Sequence, residues 1–317
     1  DRALTQSHIY QRYHTSPKNR APSGHEGALD SNFSHFPSNL SSQKFSPNAK
    51  MPAYMSSVYW WAYLMPYSPS IFDHPIVVNA ILWGNYDKLR DEAVAELPKS
   101  TKPQNVLQVA CAYGTVTPAI FSALPPQSRL EVIDISTVQL DVVARKLLAE
   151  NKPLETEPIF ETATQPTGED GFETRVFLEQ DLDVQGAKKK LVLRHGNAVD
   201  MRCYETPPGN GDGFDYVLSF FLMREAPEDL RRNILAEMFR VTPAGSKLVF
   251  VDYHQPQGLN PVRPIMQLVN RFLEPFAEDL WREDILHWVG EQDKQRIKSV
   301  TKNTYFGGLY QKVVVQL

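Results

Sequence analysis

The chain has 317 residues, 42% hydrophobic and 22% charged, long enough for one enlarged α/β domain or two domains at roughly 150 residues each. Its two cysteines, Cys111 and Cys203, exclude a disulfide framework or a cysteine-rich zinc site and make a reduced compartment the default. A net charge of -4 gives no electrostatic reason to expect nucleic acid as a partner, and no apolar run reaches the roughly 18 to 20 residues of a membrane-spanning helix, so an integral membrane protein is not expected.

Residues 1–50 hold nine serines, six Lys/Arg and three Asp/Glu without hydrophobic periodicity, which predicts a disordered N-terminal arm. Two readings of this arm stay open, the remainder of an organelle-targeting region and a flexible tail. From Met51 the composition changes: nine aromatics fall between Tyr54 and Tyr86. Short helices around the Pro66 to Pro69 turn, and another over 87–97 with Leu89, Ala93 and Leu97 inward, predict an N-terminal helical lid over 51–98.

Residues 99–317 follow as an α/β domain, because strand and helix patterns alternate. Predicted strands cover 105–111, 130–135, 191–194, 214–221 and 247–252, and 304–306 with 310–315 form a closing hairpin. A helix is expected near 116–124. Ser136 with Gln139 makes a capping box for another, whose Val138, Val142, Val143 and Leu147 face the core. Pro227, Glu228 and Asp229 open a third, with Leu230, Ile234, Leu235, Met238 and Phe239 as its stripe. Residues 151–190 are polar and long for a connection, and are read as a surface insertion with one small hairpin.

In a doubly wound sheet, ligands bind beyond the carboxyl ends of the strands. Asp134, 20 residues after Gly114, stands where a carboxylate accepts the hydroxyls of a ribose; the competing role is a helix cap. Ala110-Cys111-Ala112-Tyr113-Gly114 has one glycine, too few for close approach of a pyrophosphate. A nucleoside without pyrophosphate is therefore expected, and S-adenosylmethionine fits. Gly196-Asn197-Ala198 after the third strand is similar to the Gly-Asp-Ala pattern near the adenine of class I methyltransferases.

The order of these features resembles the class I methyltransferase fold, a Rossmann-like central sheet with helices on both faces and a terminal β-hairpin. Five stretches resemble one family: Val106-Leu107-Gln108-Val109-Ala110-Cys111-Ala112-Tyr113-Gly114, Tyr59-Trp60-Trp61-Ala62-Tyr63, Ile81-Leu82-Trp83-Gly84-Asn85, Val251-Asp252-Tyr253-His254, and Thr304-Tyr305-Phe306-Gly307-Gly308-Leu309-Tyr310-Gln311-Lys312. They are similar to rhodoquinone biosynthesis proteins, relatives of methyltransferases that convert ubiquinone to rhodoquinone. The resemblance runs from about residue 51 to the C-terminus, apart from 151–190.

It implies an S-adenosylmethionine-dependent transferase in which the donor supplies an amino group that replaces a ring methoxy group, with Mn2+ as cofactor. Donor-binding positions would be Gln108, Ala110, Cys111, Tyr113, Gly114, Asp134, Ile135, Asn197, Ala198 and Phe220. Tyr113, Glu225, Tyr253 and His254 would be catalytic, and Asp252 with His254 would hold the metal, Glu225 being a possible third ligand. A neutral Gln108, where methyltransferases carry a carboxylate, would leave the donor amine free to lose its proton. Trp60, Tyr63, Trp83, Phe272 and Phe276 would line a ubiquinone site, with Leu268, Val269 and Leu273 at its entrance. Ordinary core packing competes for these aromatics, as it does for Tyr113. A quinone substrate implies peripheral association with a membrane, in a eukaryote the mitochondrial inner membrane. Two further readings remain: a conventional methyltransferase acting on a quinone or another lipophilic acceptor, and an inactive methyltransferase-fold binding protein.

Overall fold

The computed structural model describes residues 52–63, 68–154, 174–204 and 213–317. The arm predicted over 1–50 lies outside them, as does 155–173 of the insertion. Before the first strand come α1 (Ala53–Ser57), α2 (Trp60–Tyr63), α3 (Ser68–Phe72), α4 (Pro75–Ile81) and α5 (Tyr86–Val94). Helix α4 starts where His74 Nδ1 accepts from Ile76 N–H with Pro75 at the first position, and it ends at Trp83 and Gly84, both at positive φ. Helix α5 turns Tyr86, Leu89 and Ala93 inward.

Then follow β1 (Asn105–Val109), α6 (Val116–Ala123), β2 (Arg129–Asp134), α7 (Thr137–Glu150), β3 (Lys152–Pro153), β4 (Arg175–Val184) and β5 (Ala187–His195). The second half holds β6 (Tyr216–Phe220), α8 (Glu228–Val241), β7 (Lys247–Tyr253), α9 (Arg263–Phe272), α10 (Asp279–Arg282), a 3-10 turn (Ile285–Trp288), α11 (Glu291–Lys294), β8 (Ser299–Tyr305) and β9 (Tyr310–Gln316). The sheet order is β3-β4-β5-β2-β1-β6-β7-β9-β8. Strands β5, β2, β1, β6 and β7 run parallel, and β9 enters antiparallel beside β7. Five parallel strands with the chain reversing direction between β2 and β6 about β1, closed by an antiparallel hairpin, form the class I methyltransferase fold.

Parallel strands must be covered on both faces, and β1, β2 and β6 are accordingly almost wholly buried. The hairpin expected inside 151–190 is long rather than small. Strands β4 and β5 pair antiparallel along their length around Gln185 and Gly186, both at positive φ, and extend the main sheet. Alternating polar residues on an edge hairpin concealed it from a search for buried strands.

Two helices differ in detail from expectation. Ser136 caps α7, with Oγ accepting from Gln139 N–H at 3.4 Å. This phase turns Gln139, Leu140, Val143, Ala144 and Leu147 inward and leaves Val138 and Val142 half-buried. In α8, Ile234, Leu235, Met238 and Phe239 face the core as expected, together with a fully buried Arg231. The Arg231 guanidinium lies 4.2 Å from the ring centroid of Trp288 and donates to the carbonyls of Met223, Ala226 and Phe276, joining the loop after β6 to the segment after α9.

The terminal hairpin has a structural job. Tyr305 Oη donates to Glu92 at 2.9 Å, and Lys312 Nζ reaches Glu92 and Glu96 at 2.7 Å each, so the hairpin is pinned to α5. Gly307 and Gly308 make its turn at positive φ, where an added Cβ would press on Asn260 and on the Gln255 carbonyl.

The tightest requirement is Gly114, at φ +90°, where a Cβ would lie 2.4 Å from the Tyr86 ring. Replacing Gly114 by Ala adds left-handed strain and a clash, together at least about 2 kcal/mol. Chemical denaturation should show that loss; an alanine variant as stable as the wild type would contradict the packing.

Candidate active site

Two cavities open at the carboxyl ends of the parallel strands, and both are bounded by the loop after β1. The first has about 540 Å³ of empty space counting its mouth, and Asp134, Ile135, Gln139, Asn197 and Ala198 line it with Tyr54 of α1. The second, about 840 Å³ on the same measure, is mainly apolar, with Phe72, Ile81, Leu82 and Phe220 in its wall and Tyr59, Tyr113, Arg224 and Glu274 as its polar groups. Ala110, Cys111, Leu222 and Glu225 belong to both walls. A ligand filling the first cavity therefore reaches the second across these four residues.

The loop between the cavities is held from several sides. Ala110 sits at φ +67° directly after β1, with its N–H donating to Ile133 O. Phe221, directly after β6, sits at φ +60° with its N–H donating to Val251 O. Left-handed backbone at a non-glycine residue costs about 1 to 3 kcal/mol and persists where surrounding structure enforces it. At Ala110 part of the enforcement comes from Gln108, which is fully buried. Its Nε2 donates to Ala110 O at 3.0 Å and its Oε1 accepts from Thr117 at 2.9 Å. Gln108 thus braces the loop from beneath and lines neither cavity, which removes the direct contact with a donor amine expected of it.

At the far end of the loop, Tyr86 Oη accepts from Thr115 N–H at 2.5 Å and Val116 N–H at 2.9 Å. Gly114 N–H donates to Asp73 at 2.7 Å, and Lys146 Nζ contacts both Asp73 and Gly114 O. The amides opening α6, which in dinucleotide-binding folds face a phosphate, are occupied by a tyrosine hydroxyl. Gly114 therefore shapes the loop rather than the cavity wall.

Asp134 is buried. Its Oδ2 accepts from Cys111 N–H at 2.5 Å and its Oδ1 from Ser136 N–H at 2.6 Å. Burial pushes its carboxyl up to about 6, against the pull of those two donors. Asp134 thus braces the backbone on both sides and lines the first cavity, while the cap of α7 falls to Ser136. A carboxylate has about four acceptor positions, which leaves room for ribose hydroxyls. Gly196 is required beside it, since a Cβ there would meet Ile133 and Thr174 at 2.9 Å.

Asp252 plays the matching part on the other side. Its Oδ2 accepts from Met223 N–H at 2.8 Å and its Oδ1 from Tyr253 N–H at 2.7 Å, and burial raises it to about 6. It is fully buried and fixes the loop after β6. His254 Nδ1 lies 2.8 Å from Gly308 O, turned to the terminal hairpin, and burial lowers its pKa. The expected metal pair does not converge, and among the described residues no three His, Cys, Asp or Glu side chains gather to hold a metal ion. Among the described residues, Asp252 and His254 do not make a site that fits Mn2+. Tyr253, expected to be catalytic, is a core aromatic packed against Phe221 and Tyr310, with burial raising its hydroxyl pKa.

Of the other expected catalytic groups, Tyr113 lines the second cavity, its hydroxyl donating to Ala62 O, and Glu225 stands on the shared wall. Of the expected donor contacts, Ala110, Cys111, Asp134, Ile135, Asn197 and Ala198 line the first cavity and Phe220 the second. The expected acceptor aromatics fare differently. Trp60, Trp83 and Phe272 are exposed and line neither cavity, and Phe276 packs edge-on to Tyr54 outside the lining. The Tyr63 side chain lies outside the described residues.

Sequence reasoning missed the ion network of the second cavity. Arg224 contacts Glu274 and, at 3.0 Å, Glu225; Tyr59 Oη donates to Glu274 at 3.2 Å; and the guanidinium lies over the rings of Phe221 and Tyr253. Burial raises the Glu274 carboxyl and Arg224 pulls it back. No local pattern marks Glu274. Gln139 did carry a signal, its place in the capping box, and it lines the first cavity.

No family model matches the chain. A demethylmenaquinone methyltransferase of Halalkalibacterium halodurans is 35% identical over 102 residues, 30% of this chain and 37% of that protein. One of Oceanobacillus iheyensis is 35% identical over 78 residues, 25% of this chain and 28% of that protein. The matched part therefore spans well under half of these curated relatives. Among solved structures, an O-methyltransferase family protein of Burkholderia thailandensis is 15% identical over 77% of this chain and 61% of its own, with a TM-score of 0.48.

If ribose hydroxyls donate to ionised Asp134, binding of S-adenosylhomocysteine holds steady above about pH 6 and weakens about tenfold per unit below it, with proton uptake opposing association. Calorimetry at several pH values checks this, and Asp134→Asn should bind weakly with no such dependence. An unchanged affinity in that variant would remove Asp134 from the donor site.

Proposed function

We propose that the protein is an S-adenosylmethionine-dependent transferase whose acceptor is a quinone-type ring. The observation that carries this reading is the wall shared by the two cavities at Ala110, Cys111, Leu222 and Glu225. The first cavity suits a nucleoside: Asp134 for the ribose, Asn197 for a polar edge of the base, and Ile135 and Ile234 for its faces. A pyrophosphate finds no such reception, because Tyr86 occupies the first amides of α6. The second cavity suits a flat apolar ring with a few oxygen substituents.

When bound, the donor supplies an activated methyl group on its sulfonium and, at its other end, an amine. The chain's own contribution is positional. Asp134 and Asn197 anchor the nucleoside, while Ala110 and Leu222 direct the reactive end across the wall. Glu225 places a carboxylate beside the cationic donor, with Arg224 fixing its orientation. The apolar lining of the second cavity excludes water from the transfer.

The finer reading is that the amine is transferred and ubiquinone becomes rhodoquinone. Its support is the motif resemblance along most of the chain, together with alanines at 110 and 112 in the loop. Methyl transfer is the second reading, favoured by the two demethylmenaquinone methyltransferases. The full chain is incubated with ubiquinone or with its ring-demethylated analogue in the reduced quinol form, with and without manganese, using donor labelled in the methyl carbon or the amine nitrogen. Nitrogen label in the product supports amine transfer and methyl label supports methyl transfer. Neither label, with donor binding intact, overturns the enzyme reading and leaves a binding protein. In whichever reaction is found, Glu225→Ala should lower kcat/KM at least about tenfold.

A further inference from the structure

Leu268, Phe272 and Leu273, expected at the quinone entrance, line neither cavity. They lie outside, with Leu268 60% and Phe272 69% exposed. Ile265, Leu268 and Phe272 recur at i, i+3 and i+7, one stripe along α9, while Met266 and a fully buried Asn270 face inward. A surface helix normally does the reverse. Trp83 Nε1 points at Met266 Sδ, 3.4 Å away, so the turn after α4 lies against α9; Trp83, Ile81 and Ile76 of this segment are exposed as well. Ile81 also lines the second cavity, so this apolar surface runs into the cavity's mouth.

The geometry points to a lipid bilayer containing anionic headgroups as the occupant of this face. Charge argues for that partner. The chain carries -4 overall, yet no Asp, Glu, Lys or Arg occurs between Asp73 and Asp87, and α9 has Arg263 and Arg271 with no acidic residue. Exposed Arg271 flanks the apolar stripe, Arg263 being half-buried on the inward side of α9 with Met266 and Asn270; a cationic flank without acidic neighbours on the helix suits anionic lipid, and Trp with Phe suits the headgroup boundary. Continuity with the mouth supplies the reason for docking: an apolar ring held in a bilayer enters the second cavity without crossing water. This last step rests on the proposed acceptor, whereas the docking itself does not.

The test is sedimentation of the full chain with phosphatidylcholine vesicles, with and without phosphatidylglycerol. Wild type should pellet with the anionic vesicles and dissociate as salt rises. Leu268→Asp with Phe272→Asp should weaken partition at least about tenfold, and Arg271→Gln a few-fold. Val300→Asp, a change to an exposed valine on the edge strand β8, should partition as wild type does. Wild type left in the supernatant with both vesicles, or the double variant pelleting undiminished, overturns the proposal. So does a dimer in solution that the double variant dissociates, because the face then belongs to a second copy. S-adenosylhomocysteine binding measured on the same samples reports the fold of each variant. Failure of that binding in wild type counts against the proposed transferase and leaves the vesicle result standing.

Discussion

The hydroxyl of Tyr86 at the start of α6 is the contact on which the site is built. It accepts from the Thr115 and Val116 amides, which no residue within α6 can satisfy. Its ring takes the space that any side chain at position 114 would need. One tyrosine thereby closes the amides that open α6, requires a glycine at the fifth residue of the loop after β1, and ties the N-terminal helices to the sheet. Nearby, Arg90 reaches Thr115 and Asp73 reaches Gly114, so the loop's polar groups are satisfied from within the protein. The first cavity is left to Asp134 and Asn197, farther along the strand ends.

A pair of buried aspartates repeats one design on either side of β1 and β6. Asp134 holds the backbone at Cys111, Asp252 holds it at Met223, and beside each stands a residue forced to positive φ, Ala110 and Phe221. The two strained turns bring Ala110, Cys111 and Leu222 to the wall common to both cavities. Burial raises the pKa of each aspartate against the pull of its backbone N–H donors, whether or not the group faces a cavity. A raised carboxyl is therefore a poor guide to catalysis here, and cavity lining separates Asp134 from Asp252.

Much of the sheet was legible from alternating hydrophobic runs, and part of the lining of the first cavity from the position of Asp134 and the Gly196-Asn197-Ala198 turn, because those signals are local. The lining of the second cavity was not. Glu274 meets Arg224 and Tyr59 only through tertiary packing across long stretches of chain, and aromatic density around Trp60 and Trp83 says nothing about which rings point inward. Asp252 and His254 illustrate the same limit. Two residues apart at a strand end, they suggest a shared site, yet one turns to backbone amides and the other to the terminal hairpin. The Thr304 to Lys312 motif, distinctive as sequence, anchors the hairpin to Glu92 and Glu96 and lines neither cavity.

The central claim is that a nucleoside donor in the first cavity meets an acceptor ring in the second across the wall they share. The most direct measurement is a crystal structure of the full chain with S-adenosylhomocysteine and a short-tailed ubiquinone analogue. The account predicts the ribose on Asp134, the thioether sulfur between the Ala110–Cys111 and Leu222–Glu225 sides of the wall, and the quinone ring among Phe72, Tyr113 and Phe220. A nucleoside bound elsewhere, or a ring seated away from that wall, would contradict it.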